Sequence, residues 1–71
     1  MHPSTKHIMK FFKYKHLPVP VDLQPVFQKV TALAESVIQV VPEGPELTTG
    51  LRKLLEARDC FVRAVTRFSD D

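Results

Sequence analysis

Apolar residues recur at helical spacing along two stretches of this 71-residue chain. In the first stretch they return every three or four positions, which is the period of an amphipathic helix and not the two-residue period of a strand. Asp22 can cap this helix, and Pro25 falls in its first turn, where a missing N–H is harmless. The pattern therefore predicts a helix over about residues 22–41. Its apolar positions are Leu23, Val26, Phe27, Val30, Leu33, Ala34, Val37, Ile38 and Val41.

The second stretch follows a tight break at residues 42–45, which read Pro-Glu-Gly-Pro. It predicts a helix over about residues 46–68 with a ladder of apolar positions spaced four and three apart, as in a coiled-coil seam. Arg58 interrupts this ladder, and we expect its stem to pack while its head reaches water or an acid on a neighbouring chain. Leu55 and Val62 widen the stripe beyond what one partner helix needs, which indicates a second surface that pairs with another chain. The ladder consists of Leu47, Leu51, Leu54, Phe61, Val65 and Phe68.

A shorter helix is predicted over about residues 4–14. Ser4 can cap its first turn, and the X-Pro units at Pro18 and Pro20 end it. The short connection between the two longer helices is typical of an antiparallel hairpin. The predicted fold is therefore all-α, with one domain over residues 1–71 made of a short N-terminal helix and a long antiparallel helical hairpin.

The small size of the chain favours self-association. A single core in a domain of this length supplies about 3–5 kcal/mol at best. Cys60 is the only cysteine, so an internal disulfide is excluded, and a reducing compartment is indicated. We therefore expect the helical domain to assemble into a homo-oligomer.

Basic charge is concentrated at the N-terminal end. Residues 1–16 carry four lysines and no acid, whereas the remaining residues carry six cations and eight carboxylates. Such a distribution suits a local anion pocket better than a long duplex, and the carboxylates lie on or around the helices that would enter a groove. A small phosphate ligand is therefore expected, and not a DNA or RNA polymer.

Within this basic segment, aromatic rings alternate with lysines over residues 10–15, which read Lys-Phe-Phe-Lys-Tyr-Lys. Rings can stack on bases, and ammonium groups can neutralise phosphates, so the segment has the ingredients of a nucleotide site. Core packing is the commoner role for Phe11 and Phe12. Tyr14 precedes a proline-containing turn and is expected at an edge of the domain, with its hydroxyl in water.

The residue inventory argues against catalysis, metal binding and membrane insertion. All histidines precede residue 17, so the predicted hairpin cannot bring one to a serine, threonine or cysteine with an acid, and no glycine-rich phosphate loop is present. The histidines also lack metal-ligand spacing. No apolar run is long enough to cross a bilayer, and lysines interrupt the apolar cluster near the N-terminus. The sequence predicts a soluble, intracellular binding protein without enzymatic activity, metal or cofactor.

The ordered features of the chain resemble one known family. Phe12-Lys13-Tyr14, a proline-containing turn, an amphipathic helix and the segment PELTTGLRKLLEARDCFVRA at residues 45–64 resemble the helical-hairpin domain shared by phage anti-CBASS and anti-Thoeris sponge proteins. The resemblance covers about residues 11–68, and the short length is more similar to the anti-CBASS branch. It implies a phage-encoded protein of the infected bacterial cytoplasm that sequesters cyclic nucleotide second messengers without cleaving them, so that CBASS effectors are not activated.

The resemblance also implies partners and site residues. Its members are homo-hexamers with separate pockets for cyclic dinucleotides, such as cyclic GMP-AMP, and for cyclic trinucleotides. Tyr14 matches the tyrosine that stacks on a dinucleotide base, Lys29 matches the lysine at its phosphate, and Phe12 is counted with these contacts. Thr31 and Arg67 match contacts to the trinucleotide.

These residues also have plain structural interpretations. Tyr14, with Phe11 and Phe12, could simply pack the short first helix onto the other two. Lys29 and Thr31 suit the solvated surface of a helix, and Arg67 near a helix C-terminus can complement the helix dipole. An alternative function is that of a small helical protein–protein interaction module that binds a host protein through the third helix.

Overall fold

The structure, a computed structural model, describes residues 1–67, which fold into helices without any strand. Helix α1 spans Pro3–Met9 and runs into a 3₁₀ turn at Lys10–Phe12. Helix α2 spans Gln24–Val40, and helix α3 spans Pro45–Thr66. The prediction of an all-α fold is therefore confirmed for this part of the chain. Phe68, the last residue of the predicted ladder, lies outside the described residues.

The N-cap residues of α1 and α2 are not the ones that the sequence predicted. His2, and not Ser4, is the N-cap of α1, and its ring Nδ1 accepts a hydrogen bond of 3.1 Å from the backbone N–H of Ser4. Helix α2 begins after Leu23 without a side-chain cap. Asp22 lies too early to cap it, because the backbone N–H of Leu23 donates to the carbonyl of Pro20 at 3.0 Å and closes a turn there.

The N-terminal helical segment ends two residues before the predicted end. Lys13 is already extended, with φ −74° and ψ 129°, so Tyr14 is not helical. The physical reason is that side chains compete with the backbone N–H groups of a longer helix for the same carbonyl groups. The carbonyls of Phe11 and Phe12 accept hydrogen bonds from side chains on the two long helices, and the chain turns away from the helical path.

The hydrophobic core lies where the N-terminal segment meets both long helices. The 3₁₀ turn contacts α2, while α3 contacts α1 and α2. The buried ladder positions of α3 are the early ones, Leu47 and Leu51, whereas Phe61 is 52% exposed. The C-terminal half of α3 thus extends beyond the core of its own chain. The buried apolar cluster consists of Ile8, Phe12, Val30, Ala34, Leu47 and Leu51.

The two adjacent phenylalanines of the 3₁₀ turn have different environments. Phe12 is 0% exposed, as expected for a core residue, whereas Phe11 is 56% exposed. The prediction that Phe11 packs in the core is therefore wrong. Neighbouring side chains on a 3₁₀ turn point in different directions, so only one of the two can enter the core. The ring of Phe11 instead meets the ring of His7 edge-on, with centroids 5.6 Å apart.

A polar contact ties α1 to the loop between α2 and α3. Thr5 is buried, and its hydroxyl donates to Oε2 of Glu43 at 2.6 Å. The backbone N–H of His2 donates to Oε1 of the same carboxylate at 3.3 Å. The hydrogen bond from Thr5 is the main reason that the pKa of Glu43 lies below its usual value. These contacts therefore favour the charged form of this carboxylate.

The lowered pKa of Glu43 predicts an acid-sensitive contribution to stability. A carboxylate with a lower pKa in the folded chain stabilises the fold above its unfolded pKa of about 4.3 and loses this effect as the pH falls through the folded pKa. Glu43→Gln keeps an acceptor oxygen and removes the charge, so it should unfold at a lower temperature than the parent at about pH 7, and this difference should shrink as the pH falls through the folded pKa. Glu56→Gln, at an exposed position of α3, is the control. If the difference in unfolding temperature between Glu43→Gln and the parent is as large in acid as at about pH 7, the charge of Glu43 does not stabilise the fold.

The two phenylalanines predict opposite responses to truncation. Phe12→Ala should cost about 3–5 kcal/mol of unfolding free energy, because it empties a fully buried site. That loss equals the total that a core of this size supplies, about 3–5 kcal/mol, so the variant should be largely unfolded at room temperature. Phe11→Ala should change stability by about 0.5 kcal/mol or less. Far-ultraviolet circular dichroism during urea titration compares the two, and equal losses would refute the assigned environments.

Candidate functional site

The end of the 3₁₀ turn is held by one side chain from each long helix. Nη1 of Arg58, on α3, donates to the carbonyl of Phe11 at 2.8 Å. Oγ1 of Thr31, on α2, donates to the carbonyl of Phe12 at 2.7 Å. Carbonyls at the end of a helical segment lack partners within it, so these two bonds satisfy groups that would otherwise need water. We call this pair of bonds the carbonyl clamp. It fixes the point from which the chain leaves toward Tyr14.

The guanidinium of Arg58 also lies against aromatic rings. Its Cζ is 4.9 Å from the ring centroid of Phe27 and 6.0 Å from that of Phe12. Both distances are within the range of about 6 Å in which a cation is attracted to a ring face. The interruption of the apolar ladder at this position is thus explained by contacts within the same chain. The expectation for its head group, water or an acid on a neighbouring chain, did not anticipate them.

Tyr14 lies at the edge of the domain, as expected, with its side chain half-buried. Its ring contacts the ring of Phe27, with centroids 5.6 Å apart and planes tilted by 42°. The carbonyl of Tyr14 accepts a hydrogen bond of 2.9 Å from the backbone N–H of Leu17, which closes the turn that follows. The ring is therefore supported by α2 on one part of its surface and remains accessible elsewhere.

A cavity of about 360 Å³ opens beside Tyr14. It offers the chemistry that a nucleotide needs: an aromatic ring for stacking, two ammonium groups for phosphate, and an imidazole and a hydroxyl for hydrogen bonds. Glu35 adds one carboxylate to the wall and opposes part of the positive charge. The volume is at the lower end of the range of about 300–1,000 Å³ found for small-molecule sites. The lining residues are Lys13, Tyr14, Lys15, His16, Thr31 and Glu35.

A neighbouring cavity of about 240 Å³ shares Lys13, Thr31 and Glu35 with the first, and Lys6 and Lys10 also line it. All four lysines of residues 1–16 therefore border two adjoining depressions on one side of the domain. The four lysines are close together in the sequence, and in the folded chain they also lie on one face of the domain. We call this surface the lysine face.

Two of the other expected contacts, Lys29 and Arg67, do not line the cavity beside Tyr14. Lys29 is exposed on α2 and lines a different cavity of about 340 Å³, whose other walls are apolar. Arg67 is the exposed C-cap residue of α3. Thr31 shares a cavity with Tyr14, and its hydroxyl already donates within the carbonyl clamp. The cavity of Lys29 is completed by Val26, Val30, Leu33, Leu54 and Phe61.

Phe12 does not suit the expected role as a ligand contact. Its ring is fully buried, so it has no accessible face on which a base could stack in this conformation. Its role is to fill the core beneath the site, next to the guanidinium of Arg58.

Sequence reasoning missed several residues of the site. His16 and Glu35 line the cavity beside Tyr14, and neither was assigned to it. Glu35 comes from a different helix, and no local pattern connects the two positions. Arg58 could be recognised as unusual from the sequence, because a cation interrupts an otherwise regular ladder of apolar residues. The interruption did not show which residues the cation would meet.

Two further findings concern the residues that the structure describes. No three histidine, cysteine or acidic side chains among them come close enough together to hold a metal ion. None of their helices combines the length and the apolar character needed to cross a membrane.

Comparison of the chain with protein-family models, with curated proteins and with solved structures found no match. The resemblance to the sponge proteins is therefore a hypothesis that rests on the sequence, and the geometry of the lysine face has to be judged by its own chemistry.

The carbonyl clamp predicts that the hydroxyl of Thr31 matters for stability. Thr31→Val has nearly the same shape but leaves the carbonyl of Phe12 without its partner, which should cost about 1–2 kcal/mol of unfolding free energy. Thr31→Ser retains the hydroxyl and should lose clearly less. Urea unfolding midpoints compare the variants. A valine variant that is as stable as the serine variant would show that the hydrogen bond contributes nothing.

Proposed function

We propose that this chain is a non-enzymatic sponge for cyclic di- and trinucleotide second messengers. In this proposal a phage makes it in the cytoplasm of the infected bacterium, where it sequesters the messenger without cleaving it, so that CBASS effectors are not activated. The observation that carries the proposal is the cavity lined by Tyr14 together with Lys13 and Lys15, next to the other lysines of the lysine face. The family resemblance of the sequence supports the same class of ligand.

The chemistry of the cavity favours a compact anion with flat groups. Stacking of one base on an aromatic side chain contributes about 1–3 kcal/mol, and a charge-assisted hydrogen bond to a phosphate about 1.5–3 kcal/mol. The ring of Phe27 contacts the ring of Tyr14, which reduces the ordering cost of binding. Lys13 and Lys15 are the sequence neighbours of Tyr14, and both line the same cavity. A ring-shaped dinucleotide presents bases and phosphates close together, as this cavity requires.

A complete site needs more than one copy of the chain. The cavity beside Tyr14 is small, and Lys29 lines a different cavity. We propose that subunits built as antiparallel helical hairpins assemble into a homo-hexamer, in which Lys29 of one copy reaches the ligand held by Tyr14 of another. A two-fold axis would present each side chain twice to a cyclic dinucleotide. A three-fold axis would do the same with Thr31 and Arg67 for a cyclic trinucleotide.

One observation favours a different class of function. The cavity beside Lys29 has almost wholly apolar walls, and Leu33 and Phe61 at its margin are each 52% exposed. Such a surface also suits a small interaction module that binds a host protein through α3. In the sponge proposal the same surface lies between subunits.

Ligand-induced stabilisation distinguishes the two functions. Cyclic GMP-AMP at about 100 times its dissociation constant should add about 2.7 kcal/mol per site and raise the unfolding temperature of the parent. Tyr14→Ala and Lys29→Ala should lose this shift and retain the oligomer mass in light scattering. Lys53→Ala, an exposed lysine of α3 outside the described cavities around Tyr14 and Lys29, should behave like the parent.

The outcomes separate clearly. A parent that responds to neither cyclic GMP-AMP nor a cyclic trinucleotide refutes the sponge. If Tyr14→Ala and Lys29→Ala both respond like the parent, the ligand binds but the site is wrongly assigned. If the parent is a monomer whose unfolding temperature changes with neither ligand nor with the Tyr14→Ala substitution, the interaction module is the better hypothesis.

A further inference from the structure

Arg58 occupies a position where an apolar side chain would continue the ladder of α3. Leu54 and Phe61 stand before and after it at ladder spacing. Its Nε is buried and has no hydrogen-bond partner among the residues that the structure describes. A buried polar atom without a partner is unfavourable, so an arginine is a poor choice for stability alone at this position. The explanation for the arginine has to come from what its other atoms contact.

Those contacts lead to Tyr14 by two routes. Along the backbone, Nη1 of Arg58 donates to the carbonyl of Phe11 at 2.8 Å, three residues before the tyrosine. Through side chains, its Cζ lies 4.9 Å from the ring centroid of Phe27. The ring of Phe27 is in turn 5.6 Å from the ring of Tyr14. One guanidinium therefore touches both supports of the tyrosine.

We propose that Arg58 is a positioning residue that sets the orientation of the Tyr14 ring without touching the ligand itself. The identity of the ligand depends on the proposed function, whereas the positioning of the ring does not. A planar guanidinium can lie on an aromatic ring and donate in its own plane at the same time, and a lysine ammonium cannot reproduce both contacts. An apolar side chain would fill the space and make neither contact. The position therefore exchanges some stability for a defined tyrosine.

The chain provides a direct probe, because Tyr14 is its only tyrosine and tryptophan is absent. Tyrosine fluorescence with acrylamide quenching, and the fluorine NMR signal of incorporated meta-fluorotyrosine, each report on Tyr14 alone. The variants are Arg58→Met, Arg58→Lys and Phe27→Leu. Arg52→Met removes an exposed arginine of the same helix and is the matched control.

We expect Arg58→Met to keep the unfolding temperature of the parent or to raise it, because it removes a buried atom without a partner. The carbonyl that it releases belongs to a solvent-exposed hydrogen bond and can turn to water. The fluorine signal of Tyr14 should shift and broaden, and quenching should increase. Arg58→Lys should fall between parent and Arg58→Met, and Phe27→Leu should reproduce the change through the other support. The control should match the parent.

Binding of cyclic GMP-AMP is measured second. If Arg58→Met reduces the fraction of molecules with a correctly placed ring to one in about ten, the apparent affinity should fall about tenfold. A parent that binds neither cyclic GMP-AMP nor a cyclic trinucleotide refutes the proposed function and leaves the test of positioning intact.

Three results would overturn the inference. In the first, the fluorine signal and the quenching of Arg58→Met equal those of the parent, so the guanidinium does not set the ring. In the second, Arg58→Met and Arg58→Lys lose as much stability as a core truncation, so the residue acts in the fold as a whole. Normal affinity of an Arg58→Met variant whose Tyr14 signal has shifted would likewise exclude a positioning role in binding.

Discussion

The carbonyl clamp is the interaction that fixes where the N-terminal helical segment ends and where the segment that carries Tyr14 begins. Arg58 and Thr31 bind the last two carbonyls of the 3₁₀ turn, and each belongs to a different long helix. Within residues 1–67, the backbone hydrogen bonds of the residues that follow, up to the start of α2, join near neighbours in sequence. The clamp therefore defines the start of this proline-rich segment, and the contact between the rings of Tyr14 and Phe27 supports it further along. The placement of Tyr14 thus depends on the contacts of Phe11 and Phe12 as well as on the contact of its own ring with Phe27.

The same structure explains how so short a chain can present a polar cavity and an apolar one. Six buried apolar residues form a cluster at one end, where α1 and the 3₁₀ turn cover the long helices. Beyond that cover, α3 continues and leaves Phe61 half-exposed. The lysine face and the apolar cavity around Lys29 are therefore consequences of one asymmetry: the N-terminal segment covers only part of the surface that the long helices offer.

Much of the fold could be predicted from local pattern, while the site could be predicted only in part. The two long helices lie within about two residues of their predicted bounds, because their apolar period repeats over several turns. The caps at Ser4 and Asp22 were wrong, since a cap depends on where the preceding turn closes. Tyr14 was correctly placed at an edge and in a basic setting. That Lys29 lies at a different cavity was beyond sequence reasoning.

What the sequence by itself determined was the helical character of the chain, the approximate extent of the long helices and the concentration of lysines at one end. These depend on the spacing and charge of residues near each other. Only the tertiary structure decided that Phe12 enters the core while Phe11 does not, and that Glu35 joins the wall beside Tyr14. It also decided the partner of Arg58, because that hydrogen bond joins residues 47 positions apart. No periodicity encodes such a contact, which exists only when helices from distant parts of the chain pack together.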